Sequence, residues 1–308
     1  MNRCPITYEE CGEQLYSEKG LKSLSRSLNA LHLFPYSAKE QIQLAADFAA
    51  KLSIQGIQPK LSIKLIASKG EFIVVEKGGR YILKPPHQVY EELPQNEDLT
   101  MKLGSVVAID APCHGMIYNK DNSLSYFIKR FDRVSSHHKL ATEDFAQLMG
   151  FSRDTKYESS MEQLIPILDK HCTFPLIEKI KLFRLTLFNF LIGNEDMHLK
   201  NFSLIRYENK VELSPAYDLL NSSIVLRNPE EIALPLRGKK SKLKREELID
   251  YFGLERLKLL KNVIDQELET FQKAFATWEA LVRKSFLSAH MQDKYLDLIS
   301  ERRKRLKL

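Results

Sequence analysis

The stretch "LFNFLIGNEDMHLKNFSLI" (Leu187–Ile205) decides how the chain is read. An apolar, helix-like run ends at Gly193, and apolar alternation resumes at Phe202. Between them stand Asn194, Glu195, Asp196, His198, Lys200 and Asn201, a dense set of polar groups at the joint of two apolar segments. Asp196 and Asn201 have the D-x-x-x-x-N spacing. In phosphoryl transfer that spacing has a mechanical reason. The Asp accepts the proton of the attacking hydroxyl, and the Asn, one loop-turn later, reaches a magnesium ion on the phosphates.

Such a site needs a second carboxylate for the metal, returned to the same place. After Asn201 the pattern in "NFSLIRYENKVELSPAYD" predicts two short strands joined at "YENK". A hairpin sets its two ends side by side, so Asp218 of "SPAYDLL" is expected near Asn201. An Asp and an Asn after a helix often only cap and turn the chain. The loop by itself favours that plainer reading; the hairpin and Asp218 reverse the balance.

Outward from this joint, the N-terminal side has the parts of a nucleotide holder. "KLSIKLIAS", "GEFIVVEKG" and "GRYILKPP" read as a strand meander with Gly-containing turns. Gly56 lies in the polar turn before the first strand, where backbone N–H groups would face phosphate oxygens or merely form a loop. Lys84 ends an apolar strand. Its ammonium would meet the α/β-phosphates and pair with a helix carboxylate, Glu97 being the nearest candidate, or it would snorkel to solvent. The helix in question is "PQNEDLTMKLGSVV" (Pro94–Val107). "GMIYNKDNSLSYFIKRFDR" reads as a hairpin with Asn119–Ser123 as its loop, and "YFIKRFDR" as either a connecting strand beside adenine or a core strand. His198 would orient the catalytic loop or serve as a buried structural histidine; Lys200 would neutralise the γ-phosphate or sit in solvent. "RGKKS" (Arg237–Ser241) is not a phosphate-binding P-loop, because the required earlier glycine position holds Ala233.

The remaining signals bound the class. The 308 residues suit two packed lobes, and 44% apolar with 28% charged residues describes an ordinary globular chain. The fold class expected is α+β: a small β-rich N-lobe and a larger, mainly helical C-lobe in a two-lobed, protein-kinase-like arrangement. Its parts are a short segment and helix in 1–51, the N-lobe with its hinge in 52–132, and the helical C-lobe from about Thr142 within 133–308. A net charge of +6 is mild, and the basic end "ERRKRLKL" reads as a solvated helix terminus. Cys4, Cys11, Cys113 and Cys172 lack zinc-site spacing and read as free thiols in a reducing compartment. No signal peptide or membrane span is legible, and the most apolar helix is interrupted by Lys179, Lys181, Arg184 and Asn189. The expected location is the bacterial cytoplasm.

These pieces in this order resemble the HipA-like serine/threonine kinases, the toxins of bacterial toxin–antitoxin systems. The resemblance spans about Leu52 to Phe252 and is carried by "SIQGIQPKLS", "YILKPP", "YFIKRFDR", "KLATEDFAQLMG", "TKYES", "GNEDMHLKNFSL", "SPAYDLL" and "ALPLRGKKSKL". "MNRCPITYEECGEQLYSEKGLKSLS" resembles the start of the compact HipT-type branch, whose missing N-terminal subdomain is a separate small protein. The resemblance implies Asp196 as catalytic base, Asn201 and Asp218 as magnesium ligands and Lys84 as the phosphate-binding lysine. It implies further that the segment Gln55, Gly56, Ile57, Gln58 to Lys60 covers the nucleotide, and that Lys129, Arg130 and Phe131 form the adenine-contacting hinge. Ser53 falls where the family autophosphorylates. The compact branch often carries Ser-x-Ser there; "SIQ" places Gln55 at the second position, leaving Ser53 alone.

Also implied are ATP and Mg2+ as cofactors and, as substrate, a protein of translation, with aminoacyl-tRNA synthetases leading. The partners would be a DNA-binding HipB-like antitoxin and a small HipS-like protein, with DNA contacted only through the antitoxin and no membrane. A small-molecule phosphotransferase of the aminoglycoside-kinase type shares "DMHLKN". A non-catalytic nucleic-acid-binding protein would leave Asp196, Asn201 and Asp218 unexplained.

Overall fold

Short alternating runs separated by Gly-containing turns build the first of two units, Met1–Leu99 with Pro112–Lys139 and Lys284–Leu287. In the computed structural model the described residues are 2–52, 59–135, 138–226 and 230–308, with residues 48–52 described by backbone alone. The chain starts with the paired strands β1 (Asn2–Arg3) and β2 (Glu10–Gly12), then helices α1 (Glu18–Leu24) and α2 (Ala38–Leu52). The Ser17 hydroxyl accepts from the Gly20 N–H and so caps α1. Strands β3 (Leu61–Ile66), β4 (Glu71–Val74) and β5 (Tyr81–Lys84) follow, then helix α3 (Leu93–Val106) and the hairpin β6 (His114–Tyr118) and β7 (Leu124–Lys129).

The five strands β3 to β7 form one antiparallel sheet in the order β4-β3-β5-β7-β6. This corrects the meander expected from the sequence, in which β5 would pair with β4. Ile63 instead lies opposite both Val74 and Tyr81, placing β3 between its two successors. The returning segment is itself bonded to β3: the Val75 N–H donates to the Ser62 carbonyl (2.9 Å) and the Arg80 N–H to the Ile63 carbonyl (3.1 Å). One side of the sheet contributes Leu61, Ile63, Tyr81, Leu83 and Phe127 to a core closed by Cys4, Ile6, Tyr16, Leu28 and Phe34. Side chains from Cys4 to Ala45 are therefore part of this unit's apolar core, and burying that surface is what holds this segment to the sheet.

The second unit comprises Thr100–Ala111, Leu140–Arg283 and Ser288–Leu308. Its elements are β8 (Thr142–Asp144), α4 (Phe145–Met149), α5 (Leu164–His171), α6 (Pro175–Ile192), β9 (Ser203–Tyr207), β10 (Lys210–Leu213), a π-helical segment Glu246–Arg256, α7 (Lys261–Lys284) and α8 (Ala289–Leu306). The helical reading from Thr142 onward is corrected at its first three residues. Thr142–Asp144 pairs with β9, giving the sheet order β10-β9-β8. Asp144 then ends the strand and begins α4 through a capping box with Gln147. Trp278 centres the helical core, edge-on to Phe188, Phe271 and Phe275 at 5.7, 6.0 and 5.4 Å, its indole N–H donating to the Leu103 carbonyl (3.0 Å).

The α+β class expected from the sequence is the one observed, with a β-rich unit and a larger, mainly helical one. The basic C-terminus differs from its expected solvated state. Arg302 is only 4% exposed and stacks on Phe190 (4.6 Å), and Arg305 makes two hydrogen bonds to Glu231 (2.8 and 2.9 Å). Those two charges are taken up by packing and pairing within the unit, while Lys304 and Lys307 are exposed. Among the described residues none of the four cysteines is joined in a disulfide. Among the described residues no helix is long and apolar enough to cross a membrane.

Helix α6 carries the fold to the joint. Pro175 starts it, apolar side chains surround most of it, and Gly193 ends it in the left-handed region at φ +74°. A Cβ at Gly193 would run into the Leu298 side chain and lie 2.7 Å from the Ser223 hydroxyl. Gly193→Ala is therefore expected to destabilise the protein by about 2–4 kcal/mol, combining left-handed strain with overpacking. Denaturant unfolding checks this, and a loss within about 0.5 kcal/mol would contradict it.

Candidate active site

In the first unit the expected lysine–glutamate pair is formed. Lys84, the last residue of β5, and Glu97, on α3, are 7% and 3% exposed, with Nζ and Oε1 2.6 Å apart. The Lys84 ammonium also lies 5.8 Å from the centre of the Tyr126 ring. A buried ammonium survives only with such partners, which sets aside the snorkelling alternative. Lys60 is exposed ahead of β3. Ser53, Gln55, Gly56, Ile57 and Gln58 lie outside the described residues.

Lys129 ends β7, and its N–H donates to the Cys113 carbonyl (2.8 Å); the Arg130 N–H donates to the Arg80 carbonyl (2.8 Å). A ligand contact from these two would therefore use their carbonyls, because the N–H groups are taken. The Arg130 guanidinium is engaged bidentately by Asp132 at 3.0 Å, and Phe131 is half-buried.

The joint itself is in the second unit. Gly193 reverses the chain out of α6, and Glu195 turns inward: its N–H donates to the Ser222 hydroxyl (2.7 Å) and its carboxylate accepts from Ser223. Burial pushes the Glu195 carboxyl above its ordinary value, partly offset by the Ser223 hydrogen bond. Asp196, the next residue, has an exposed side chain. Its backbone carbonyl accepts from both the His198 N–H (2.8 Å) and the Asn201 side-chain amide (3.0 Å). With its nitrogen so used, Asn201 has its amide oxygen available for a cation.

The hairpin return occurs as the sequence predicts. Leu204 lies opposite Leu213, and the Ser214 N–H donates to the Ser203 carbonyl (2.8 Å). Three residues after Ser214 the Tyr217 hydroxyl donates to the Lys200 carbonyl (2.8 Å). The residue before Asp218 is thus tied to the residue before Asn201. Asp218 is half-buried and left-handed at φ +56°, a conformation that Asp tolerates better than most residues.

His198 and Lys200 both have partners within the second unit. His198 is buried, with Nε2 2.7 Å from the Lys156 ammonium. Burial first, and then the Lys156 charge, lower its proton affinity, while Asp196 and Asp218 act the other way. A neutral imidazole accepting at Nε2 fits those contacts. Lys200 pairs with Asp144 (3.0 Å). In the basic run, Arg237, Lys239 and Lys240 pair with Glu246, Glu247 and Glu230.

Two residues went unassigned at the level of sequence. Lys156 and Tyr157 belong to "TKYES", and both reach the joint: Lys156 holds His198, and the Tyr157 hydroxyl donates to the Asp196 carboxylate. Burial lowers the Lys156 ammonium below its usual range, against the opposing pull of Asp196. The tyrosine in "TKYES" carried no pattern tying it to a residue 39 positions away.

The donor set suits a hard cation. Asn201 and Asp218 offer amide and carboxylate oxygens, and among the described residues no group of three or more His, Cys, Asp and Glu side chains gathers to hold a metal. Few protein oxygens, completed by water and substrate phosphates, is the manner in which magnesium is bound.

Similarity to known proteins agrees with this geometry. Residues 52–283 match the model of the HipA-like C-terminal domain. A Haemophilus influenzae protein provisionally named a kinase is 29% identical over 95% of this chain and 92% of its own length. The serine/threonine-protein kinase toxin HipA of Shewanella oneidensis is 26% identical over 62% of this chain and 48% of its own. Among solved structures, that organism's HipA in complex with HipB and operator DNA aligns with a TM-score of 0.71 at 21% identity, covering 91% of this chain and 74% of that one. The Helicobacter pylori proinflammatory kinase CtkA aligns at 0.53 and 14% identity, covering 73% and 86%. The two solved structures share the kinase-like fold, and the chain belongs to the HipA-like family of serine/threonine kinase toxins.

Proposed function

We propose that the chain uses ATP and Mg2+ to phosphorylate a protein of the translation apparatus, an aminoacyl-tRNA synthetase, and modifies its own Ser53. The observation that carries this reading is the tether from Tyr217 to the Lys200 carbonyl. It sets Asp218 beside the loop in which an exposed Asp196 and an oriented Asn201 are already joined by a hydrogen bond. Asp196 accepts the proton of the acceptor serine or threonine hydroxyl as that oxygen attacks the γ-phosphorus and ADP leaves. Asn201 and Asp218 hold the magnesium ion, which when bound screens the phosphate charge. In the first unit Lys84, kept in place by Glu97, binds the α/β-phosphates, and Lys129 to Phe131 meet adenine through carbonyls.

A phosphate on Ser53 would add nearly two negative charges beside those of the nucleotide and switch the enzyme off. The partners in this reading are a DNA-binding HipB-like antitoxin and a small HipS-like protein, with DNA reached only through the antitoxin. The HipB-bound state of the Shewanella HipA supports the first of these. The site of action is the bacterial cytoplasm.

Purified chain with labelled ATP and Mg2+ is expected to label itself at Ser53, as read by mass spectrometry. Asp196→Asn or EDTA should abolish labelling while the far-UV circular dichroism stays unchanged. Labelling that survives either treatment would overturn the site assignment.

The buried pair allows a separate check. Lys84→Met leaves Glu97 without its counter-charge and should cost about 3–5 kcal/mol of stability, whereas Lys84→Met with Glu97→Gln should recover most of it. ATP binding, measured by calorimetry, should remain lost in both. Nucleotide affinity returning with stability would confine the pair to a structural role.

A further inference from the structure

The mechanism above uses Asp196 but not the residue that touches it. Tyr157 donates its hydroxyl hydrogen to an oxygen of the Asp196 carboxylate. An acceptor hydroxyl awaiting phosphoryl transfer would make the same bond to the same carboxylate. Resting on the assignment of Asp196 as base, we propose that Tyr157 occupies the acceptor-hydroxyl position, so that "KYES" (Lys156–Ser159) is a built-in stand-in for substrate that has to leave before transfer.

The placement is anchored on one side and open on the other. The Tyr157 ring stands edge-on to His198, centroids 5.1 Å apart at 81°, and the Lys156 ammonium lies 4.9 Å from its centre. Lys156 reaches the His198 ring (2.7 Å), and its carbonyl accepts from the Leu199 N–H (3.3 Å). The flanks are tied: the Ser152 N–H donates to the Thr155 hydroxyl (2.9 Å), the Ser159 hydroxyl to Gln163 (2.8 Å), and the Met161 N–H to the Pro235 carbonyl (3.0 Å). Between these ties Tyr157 remains 39% exposed. Its rotation away from Asp196 requires no unfolding of the flanks. Burial, and then the hydrogen bond to Asp196, push the phenol above its ordinary value. It therefore stays a donor rather than becoming a second anion beside the base.

Occlusion and simple orientation of Asp196 predict opposite signs, which makes the idea testable without knowledge of the protein substrate. Water can serve as acceptor, so the readout is ADP release from the full chain with ATP and Mg2+ alone. Tyr157→Phe keeps the ring on His198 and removes only the hydroxyl. The proposal predicts a rise of about tenfold or more in basal ADP release, as expected when a hydrogen bond to a charged group no longer competes. Asp196→Asn in the same assay carries the parent reading: release that is indifferent to Asp196 removes that reading and this one together. Asp196-dependent release that stays the same or slows in Tyr157→Phe overturns the stand-in role alone. Phosphate found on Tyr157 in the wild-type chain would overturn it as well, by making the residue an acceptor.

Discussion

One hydrogen bond organises the candidate site: the side-chain amide of Asn201 donates to the backbone carbonyl of Asp196 at 3.0 Å. It closes the loop on itself, tying the Asn201 amide to the backbone of the residue that carries the exposed carboxylate. The same carbonyl accepts the His198 N–H. Two donors on one acceptor fix the loop's curvature, and Gly193 supplies the left-handed residue needed to enter it. Everything else at the joint either braces this closure or is displayed by it. Glu195 and the Ser222–Ser223 pair brace it from inside, while Asp196 is turned outward. Such pre-organisation matters because a base that is already placed need not reorganise as charge develops.

Much of this was legible because it is local. The D-x-x-x-x-N spacing specifies a loop closing over five residues, and the alternation flanking "YENK" specifies a hairpin whose ends meet. Together they lead one to expect Asp218 near Asn201. Lys84 and Glu97 were paired on similar grounds, a charged strand end facing the next helix. Strands β3 to β7 and helices α2 and α3 also followed from period and turn residues, whereas β1, β2 and α1 fell in a stretch that reads only as a polar segment.

What was not legible is non-local. No periodicity says that β5 returns to the free edge of β3, because sheet order is decided by which faces bury together and by the bonds of residues 75–80 to β3. Thr142–Asp144 is too short and too polar to register as a strand, and it exists because β9 offers it an edge. The C-terminal arginines looked solvated because Glu231 and Phe190, their partners, lie far away in sequence. Tyr157 is the same case at the site itself: its aromatic ring and hydroxyl carry no signature until the fold lays them on His198 and Asp196. Residues that a site acquires through folding, as opposed to through motif, are those that sequence reading misses.

The central claim is that Asn201 and Asp218 hold a divalent ion together with a nucleotide. Its most direct test is electron paramagnetic resonance of Mn2+, which takes the same oxygen donors, titrated into the chain with a non-hydrolysable ATP analogue. Asp218→Asn suits the comparison because Asn also tolerates the left-handed backbone at this position. The account predicts nucleotide-dependent Mn2+ binding to the wild-type chain that weakens at least about tenfold in Asp218→Asn and in Asn201→Leu. Mn2+ and nucleotide binding that are indifferent to both substitutions would contradict it.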